Sequence, residues 1–474
     1  MPPEIDLLSI QRGSITAPAG CGKTELITRS LAGKPLGKPV LILTHTNAGV
    51  AALRARLKKA NTPGAAYRLS TIDGFAIRLI DKFPSRSGHP ADLLELSNPA
   101  TDYPAIRQAA LSLLTAGHLF QAVTATYDRL WVDEYQDCNT VQHTLVCALA
   151  SMLPTCVLGD PMQAIFGFRD NRLVNWQTDV QGSFPSSGAL STPWRWRNAG
   201  TEALGQWLLQ ARAALEAGQV IDLRTAPSQL TWVALTAGNE AVERRTAART
   251  NAPGQGTVLV IGDSRNVRGR HDMTSQTPGA VVVERVDLPE LTAFARRFDL
   301  QNATALQDLV QFSAEMMTGV GATTLLVRVE SLRANRAKNP PTIPEAAAVA
   351  FESDRSWERA LELLNALANH PDTRVYRPEL IHCCRSAMES AARGEKAFLA
   401  AAQQARERNR HARSPMARRA VGSTLLLKGL EADVAVLLEP EAMTAQHLYV
   451  ALTRGAKNVV VCSSVPVLTP CPYT

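Results

Sequence analysis

The chain has 474 residues, enough for about three domains, and its 45% hydrophobic and 20% charged content excludes a wholly disordered polymer. A net charge of +7 permits a polyanionic partner without requiring one. The eight cysteines form no C-x-x-C pair and are too sparse for a disulfide scaffold, which argues against a zinc ribbon and for a reduced interior.

Strand and helix signals alternate from the start. Residues 13–17 read as a short strand that enters a glycine-rich turn and then a helix from Lys23. Val40–Thr44 is a continuous apolar run suited to a buried parallel strand, and residues 48–59 follow with helical spacing. Residues 81–126, broken by Pro84, Gly88 and Pro90, read as a small insertion. Leu130–Val132 and residues 155–158 resume the strands, and residues 185–193 lead to a Trp/Arg-rich stretch at 194–197. A second alternating region has strands expected at 231–235, 257–261 and 280–286. Residues 293–405 are Ala-rich and helical, after which strands are expected at 424–427, 434–438 and 459–462. No apolar run is long enough for a membrane helix. The acidic start at Met1–Asp6 lacks a basic and then apolar segment, so no secretory signal is expected and the chain reads as cytoplasmic.

Chemistry concentrates in two runs. Ala17-Pro18-Ala19-Gly20-Cys21-Gly22-Lys23-Thr24 fits a phosphate-binding loop except that Ala17 stands at the first glycine position. Small residues let backbone N–H groups wrap phosphates, Lys23 would neutralise their charge, and the Thr24 hydroxyl would ligate Mg²⁺. In Leu130-Trp131-Val132-Asp133-Glu134-Tyr135-Gln136-Asp137, an apolar strand ends in two acids. Asp133 would hold Mg²⁺, mostly through water, and Glu134 would act as general base on the attacking water.

Further runs follow in a fixed order, and with them the chain resembles the UvrD/Rep-type superfamily 1A DNA helicases. Thr44-His45-Thr46-Asn47 looks like motif Ia and Thr71-Ile72-Asp73-Gly74-Phe75 like motif Ib; Asp133 to Asp137 is motif II. Gly159-Asp160-Pro161-Met162-Gln163-Ala164-Ile165-Phe166-Gly167-Phe168-Arg169 is close to motif III, and Pro193-Trp194-Arg195 to the core of motif IV. Lys428-Gly429-Leu430-Glu431 and Leu448-Tyr449-Val450-Ala451-Leu452-Thr453-Arg454 match motifs V and VI. The resemblance implies an α/β chain of two RecA-like P-loop NTPase domains with parallel sheets and small, mostly helical accessory insertions. The first motor domain would comprise 1–80 and 127–200 with the insertion 81–126, and the second 201–293 and 406–474 with the insertion 294–405.

It also implies roles. ATP would sit against Ala17, Gly20, Cys21, Gly22, Lys23 and Thr24, with Trp194 stacked on the base and Glu431 at the ribose. Gln163 would sense the γ-phosphate or its water, and Arg195 and Arg454 would act as arginine fingers. Arg195 has a competing reading, a structural arginine packed on Trp194 or Trp196. Thr44, Thr46, Asn47 and Thr71 would meet DNA phosphates, Arg169 would also contact DNA, and His45, Phe75, Phe166 and Phe168 would stack or wedge bases. Core packing is the alternative for Phe166 and Phe168. The basic run 406–419 is either a phosphate rim or a solvated helix end.

The sequence departs from the pattern at Asp73 and Leu425, where the family usually has His, and at Thr444-Ala445, where it often has an acidic pair. Its insertions are also short. The expected activity is ATP-dependent translocation on single-stranded or partly unwound DNA, 3′→5′ by resemblance, with ATP and Mg²⁺ required. The alternative is a DNA- or nucleotide-sensing ATPase that regulates a partner effector, such as a nuclease of the anti-phage defence type.

Overall fold

The computed structural model describes residues 5–34, 37–96, 98–167, 172–285, 287–411 and 417–472. The chain divides into two compact units. The first comprises Met1–Leu230, Glu441–Lys457 and Val467–Thr474; the second comprises Thr231–Pro440 and Asn458–Pro466.

The first unit is built on strands β1 (Arg12–Thr16), β2 (Val40–Thr44), β3 (Tyr67–Thr71), β4 (Leu130–Val132), β5 (Thr155–Gly159) and β6 (Ser186–Ala189), in the order β3-β2-β4-β5-β1-β6. Every neighbouring pair runs parallel. Side chains alternate between the two faces, as a strand dictates. Val40 and Ile42 join Ile15, Ile27, Leu53 and Trp131 in one core; Leu41 and Leu43 join Ile72, Leu79, Val132 and Leu145 in the other. Each fully buried Leu, Ile or Val contributes roughly 1.5–3 kcal/mol. The shared direction brings the C-terminal ends of the strands to one edge, where Thr16 faces Gly159 and Thr44 faces Thr71. Ligands of open parallel sheets bind at such edges.

Helix Ile72–Lys82 shows how sequence selects packing. Thr71 caps it, its hydroxyl oxygen accepting the Gly74 N–H. Ile72, Phe75, Ala76, Leu79 and Ile80 repeat at helical spacing and are buried. The helix stops at Phe83, before Pro84. The insertion 81–126 does not stand apart. Its long helix Pro99–Thr115 and the shorter Phe120–Thr126 send Ile106, Ala110, Leu113, Leu114 and Val123 into the same core as Ile72. Asp73 clamps it, taking Nε and Nη2 of Arg107 at 2.7 Å each.

The second sheet orders its strands as Ala280–Val282, Arg419–Ser423, Val258–Gly262, Ala432–Leu437, Gly455–Ser463, Leu230–Ala234. The first four of these are mutually parallel. The apolar run expected as a strand at 424–427 is instead a helix, Thr424–Leu427; Ser423 caps it, and the strand is the preceding Arg419–Ser423. Helices between Pro289 and His411 form a core of their own, in which the rings of Phe294 and Phe312 stack at 4.0 Å.

Three segments expected in the second motor domain lie in the first unit: residues 201–230, Val467–Thr474 and Glu441–Lys457. Hydrogen bonds hold the latter there. Trp196 Nε1 donates to the Gly455 carbonyl, Thr201 Oγ1 to that of Ala456, and Arg195 Nη1 to that of Thr453.

Candidate nucleotide site

The loop after β1 turns through Gly20 and Gly22, both at positive φ, 70° and 88°. Helix Lys23–Ala32 begins there with no side-chain cap, so its first N–H groups are left for an anion. Space is tight as well. A Cβ on Gly20 would lie 2.6 Å from the Trp196 ring, and one on Gly22 would lie 2.9 Å from Trp194. The Trp194–Asn198 helix therefore packs directly on the loop, and the Arg195 N–H donates to the Gly20 carbonyl. From helix Ala445–Leu452, the Tyr449 hydroxyl accepts the Ala19 N–H at 3.0 Å. Burial, then the nearby Asp160 charge, pushes the Tyr449 phenol well above its ordinary range.

Lys23 lies between the two acids, its Nζ 3.1 Å from Asp133 Oδ1 and 2.6 Å from Glu134 Oε1. Burial opposes its charge, but the two carboxylates prevail and hold its pKa above the usual value. Burial also raises the Asp133 carboxyl, with Lys23 pulling the other way. Glu134 occupies the left-handed region at φ 56°, an uncommon conformation for a residue with a side chain. Its Oε2 accepts from Gln136 Nε2 at 2.6 Å. Cys21 is buried, and its thiol is pushed up to about 12 by that burial and by Asp160. It is an inert packing group.

The donors expected to hold Mg²⁺ are the Thr24 hydroxyl and the Asp133 carboxylate. Two hard oxygens suit an ion that keeps most of its water, so the residues present fit that group. Among the described residues, no cluster of three or more His, Cys, Asp or Glu suggests another metal site.

Behind this front row lies a buried network. Asp160, fully buried, accepts Nε and Nη2 of Arg212 at 3.0 and 2.8 Å. It also accepts the Met162 N–H and Gln163 Nε2, each at 3.1 Å. The Asp160 N–H in turn donates to Gln136 Oε1.

Both expected arginine fingers are in the first unit, held at the C-terminal end of helix Ala445–Leu452. Arg454 is buried, with Nε on the Val450 carbonyl at 2.8 Å. Arg195 lies over the Trp196 ring at 5.2 Å while bonding the Thr453 carbonyl, so its competing packing role is realised in this arrangement. Trp194 is 44% exposed, with Arg197 over it at 5.5 Å. Glu431 is exposed, in the second unit.

Of the expected DNA contacts, Thr46 and Asn47 are exposed and Thr71 half-buried at the strand edge. Thr46, like Thr71, caps the helix that follows it. Thr44 is fully buried, its Oγ1 without a hydrogen-bond partner. His45 and Phe166 stack with centroids 6.3 Å apart, which forms a small aromatic platform. Phe75 departs from the expectation: it is 4% exposed and sits edge-on to Tyr127 in the core, as its helical spacing demands. Phe168 and Arg169 lie outside the described residues. Two residues of the site are not evident from sequence. Arg212 stands in an Ala-rich helix with no local signal around it. Tyr449 falls inside motif VI, but nothing in the motif itself assigns its hydroxyl to the phosphate loop.

Residues 94–181 match the model of the UvrD/REP helicase N-terminal domain. Over 68 residues the chain is 35% identical to one component of the ATP-dependent helicase/nuclease of Leuconostoc mesenteroides, a stretch covering 14% of this chain. The match spans only 6% of that relative's length. Among solved structures, the chain is similar to an Arterivirus helicase, nonstructural protein 10, in complex with DNA. The TM-score there is 0.36 at 7% identity, covering 97% of this chain and 63% of the other. It is also similar to the Pif1 helicase of Candida albicans, at TM-score 0.32 and 13% identity, covering 57% and 52%. No helix among the described residues is long and apolar enough to cross a membrane.

Proposed function

We propose that this UvrD/REP-type chain is an ATP-hydrolysing motor that moves on single-stranded or partly unwound DNA, 3′→5′. The observation that carries this reading is Lys23 drawn between Asp133 and Glu134 beside an uncapped helix N-terminus. The nucleotide's phosphates replace the carboxylates as partners of Lys23 and take the loop N–H groups. Glu134, released from Lys23 and steadied by Gln136, accepts the proton of the attacking water. Thr24 and Asp133 hold Mg²⁺, which supplies charge neutralisation to the phosphate oxygens when bound. Arg195 and Arg454 leave backbone carbonyls to meet the charge that develops on the transferred phosphoryl group. Such fingers are worth about 10³–10⁵ in rate. Thr46, Asn47 and the His45–Phe166 pair contact the strand.

The test is steady-state ATP hydrolysis by the purified chain, with and without single-stranded DNA. DNA-stimulated turnover that Lys23→Ala abolishes is the expected result; unimpaired stimulated turnover in that variant would sink the assignment. A second reading is an ATPase that regulates a partner nuclease without processive unwinding. It is favoured by the likeness to part of a helicase/nuclease and by the way residues 81–126 merge into the motor core. Stimulated hydrolysis without displacement of a labelled strand would select it.

A further inference from the structure

We infer that Arg212 is a positioning residue of the nucleotide site, acting through Asp160 to set which end of the Gln163 amide faces the reaction. The inference rests on the ATP-hydrolysing reading above. Arg212 comes from helix Glu202–Glu216 and is 8% exposed. Its Nε and Nη2 converge on one oxygen of Asp160, Oδ1, while Nη1 is tied back to Glu216 at 2.8 Å. That leaves Oδ2 for Gln163 Nε2.

The chemistry of this arrangement is directional. An ionised carboxylate only accepts hydrogen bonds, so it must meet the nitrogen end of the amide. Oε1 of Gln163 is thereby turned the other way. A carbonyl oxygen presented to a bound nucleotide suits the hydrogens of an attacking water better than the oxygens of a phosphate. Gln163 is thus oriented to hold that water. The same carboxylate residue reaches the general base by a second path: its N–H holds Gln136 Oε1, and Gln136 Nε2 holds Glu134. The ion pair fixes the arrangement in place. Asp160 is fully buried, and a buried carboxylate that loses its cation is left uncompensated. Without Arg212 on Oδ1 the carboxylate could rotate, and the Gln163 amide held by Oδ2 would turn with it.

The experiment is a double-mutant cycle on the full chain, using Arg212→Gln, Gln163→Ala and both together. ATP turnover is measured with saturating single-stranded DNA, alongside binding of a fluorescent ATP analogue and thermal melting. Arg212→Gln is expected to lower kcat by about tenfold or more while KM for ATP stays within about threefold. In the Gln163→Ala background it should add less than about threefold, because the path it serves is already gone. Arg212→Lys, which keeps the charge but not the paired donors, should recover part of kcat. Multiplying losses in the double variant would overturn the inference. So would a lower melting temperature with unchanged kcat, which marks a purely structural arginine. Should Arg212→Gln not fold, the cycle is run with Arg212→Lys and read the same way. A wild-type chain that binds ATP but never turns it over would remove the hydrolytic reading and this inference together; normal kcat in folded Arg212 variants would remove this inference alone.

Discussion

The two insertions solve one problem in different ways. Each is pinned to its unit by an arginine gripping a carboxylate with two nitrogens: Arg107 on Asp73 in the first unit, Arg377 on Glu284 in the second. The side chains of the first pair are 17% and 19% exposed, and those of the second 2% and 4%. The burial behind them differs more. Residues 81–126 share the core of the parallel sheet, whereas the helices between Pro289 and His411 have a core of their own. An insertion that shares a core transmits its damage to the site. One with a separate core can be damaged with less effect on the sheet beside it.

The largest effect should come from Arg377→Ala. It leaves Glu284 buried without its closest cation, and a loss of roughly 3–5 kcal/mol is expected in urea unfolding. Replacing both partners by apolar residues should recover much of that loss; if it does not, the pair contributes more than charge compensation.

The comparison itself is broken or kept by two cavity variants, Ile106→Ala and Leu363→Ala, both at fully buried positions. Each should cost about 2–5 kcal/mol. Only Ile106→Ala should weaken binding of a fluorescent ATP analogue, because Ile106 shares its core with Val132 and Tyr135, which flank Asp133 and Glu134. Equal loss of binding in both would show that the second core is not energetically separate.

The smallest effect concerns His271, in the second unit. Burial, then Arg377, lowers its pKa to about 4, with Glu290 and Asp272 pulling up and Arg270 pulling down. The folded chain therefore resists a proton that the unfolded chain accepts. Stability is held above about pH 6.5 and lost as the pH falls toward 4. His271→Gln should flatten that acid-side decline in melting temperature between pH 7 and pH 5; an unaltered slope would assign it to other groups.

What the sequence disclosed follows from how far apart the partners sit. The loop from Ala17 to Thr24 and the pair Asp133-Glu134 are contiguous, so chemistry and backbone geometry could be read together. Arg212 and Asp160 are 52 residues apart, and Arg107 and Asp73 are 34 apart, with nothing local to join them. Phe75 was legible but misweighted: its spacing with Ile72, Ala76, Leu79 and Ile80 marks a core face more strongly than its motif marks a DNA contact. At 424–427 the apolar run concealed that Ser423 was a cap and that the strand had already ended.

The contact between the phosphate loop and the Trp194–Asn198 helix constrains how this site can change by mutation. At Gly20 and Gly22 any side chain meets both an unfavourable backbone conformation and an indole. Shrinking the indole first would open the space but leave the backbone penalty, and would also remove the wall against which the loop is shaped. Single steps in either direction are therefore uphill. The loop and the tryptophan helix, although distant in the chain, are expected to vary together or not at all.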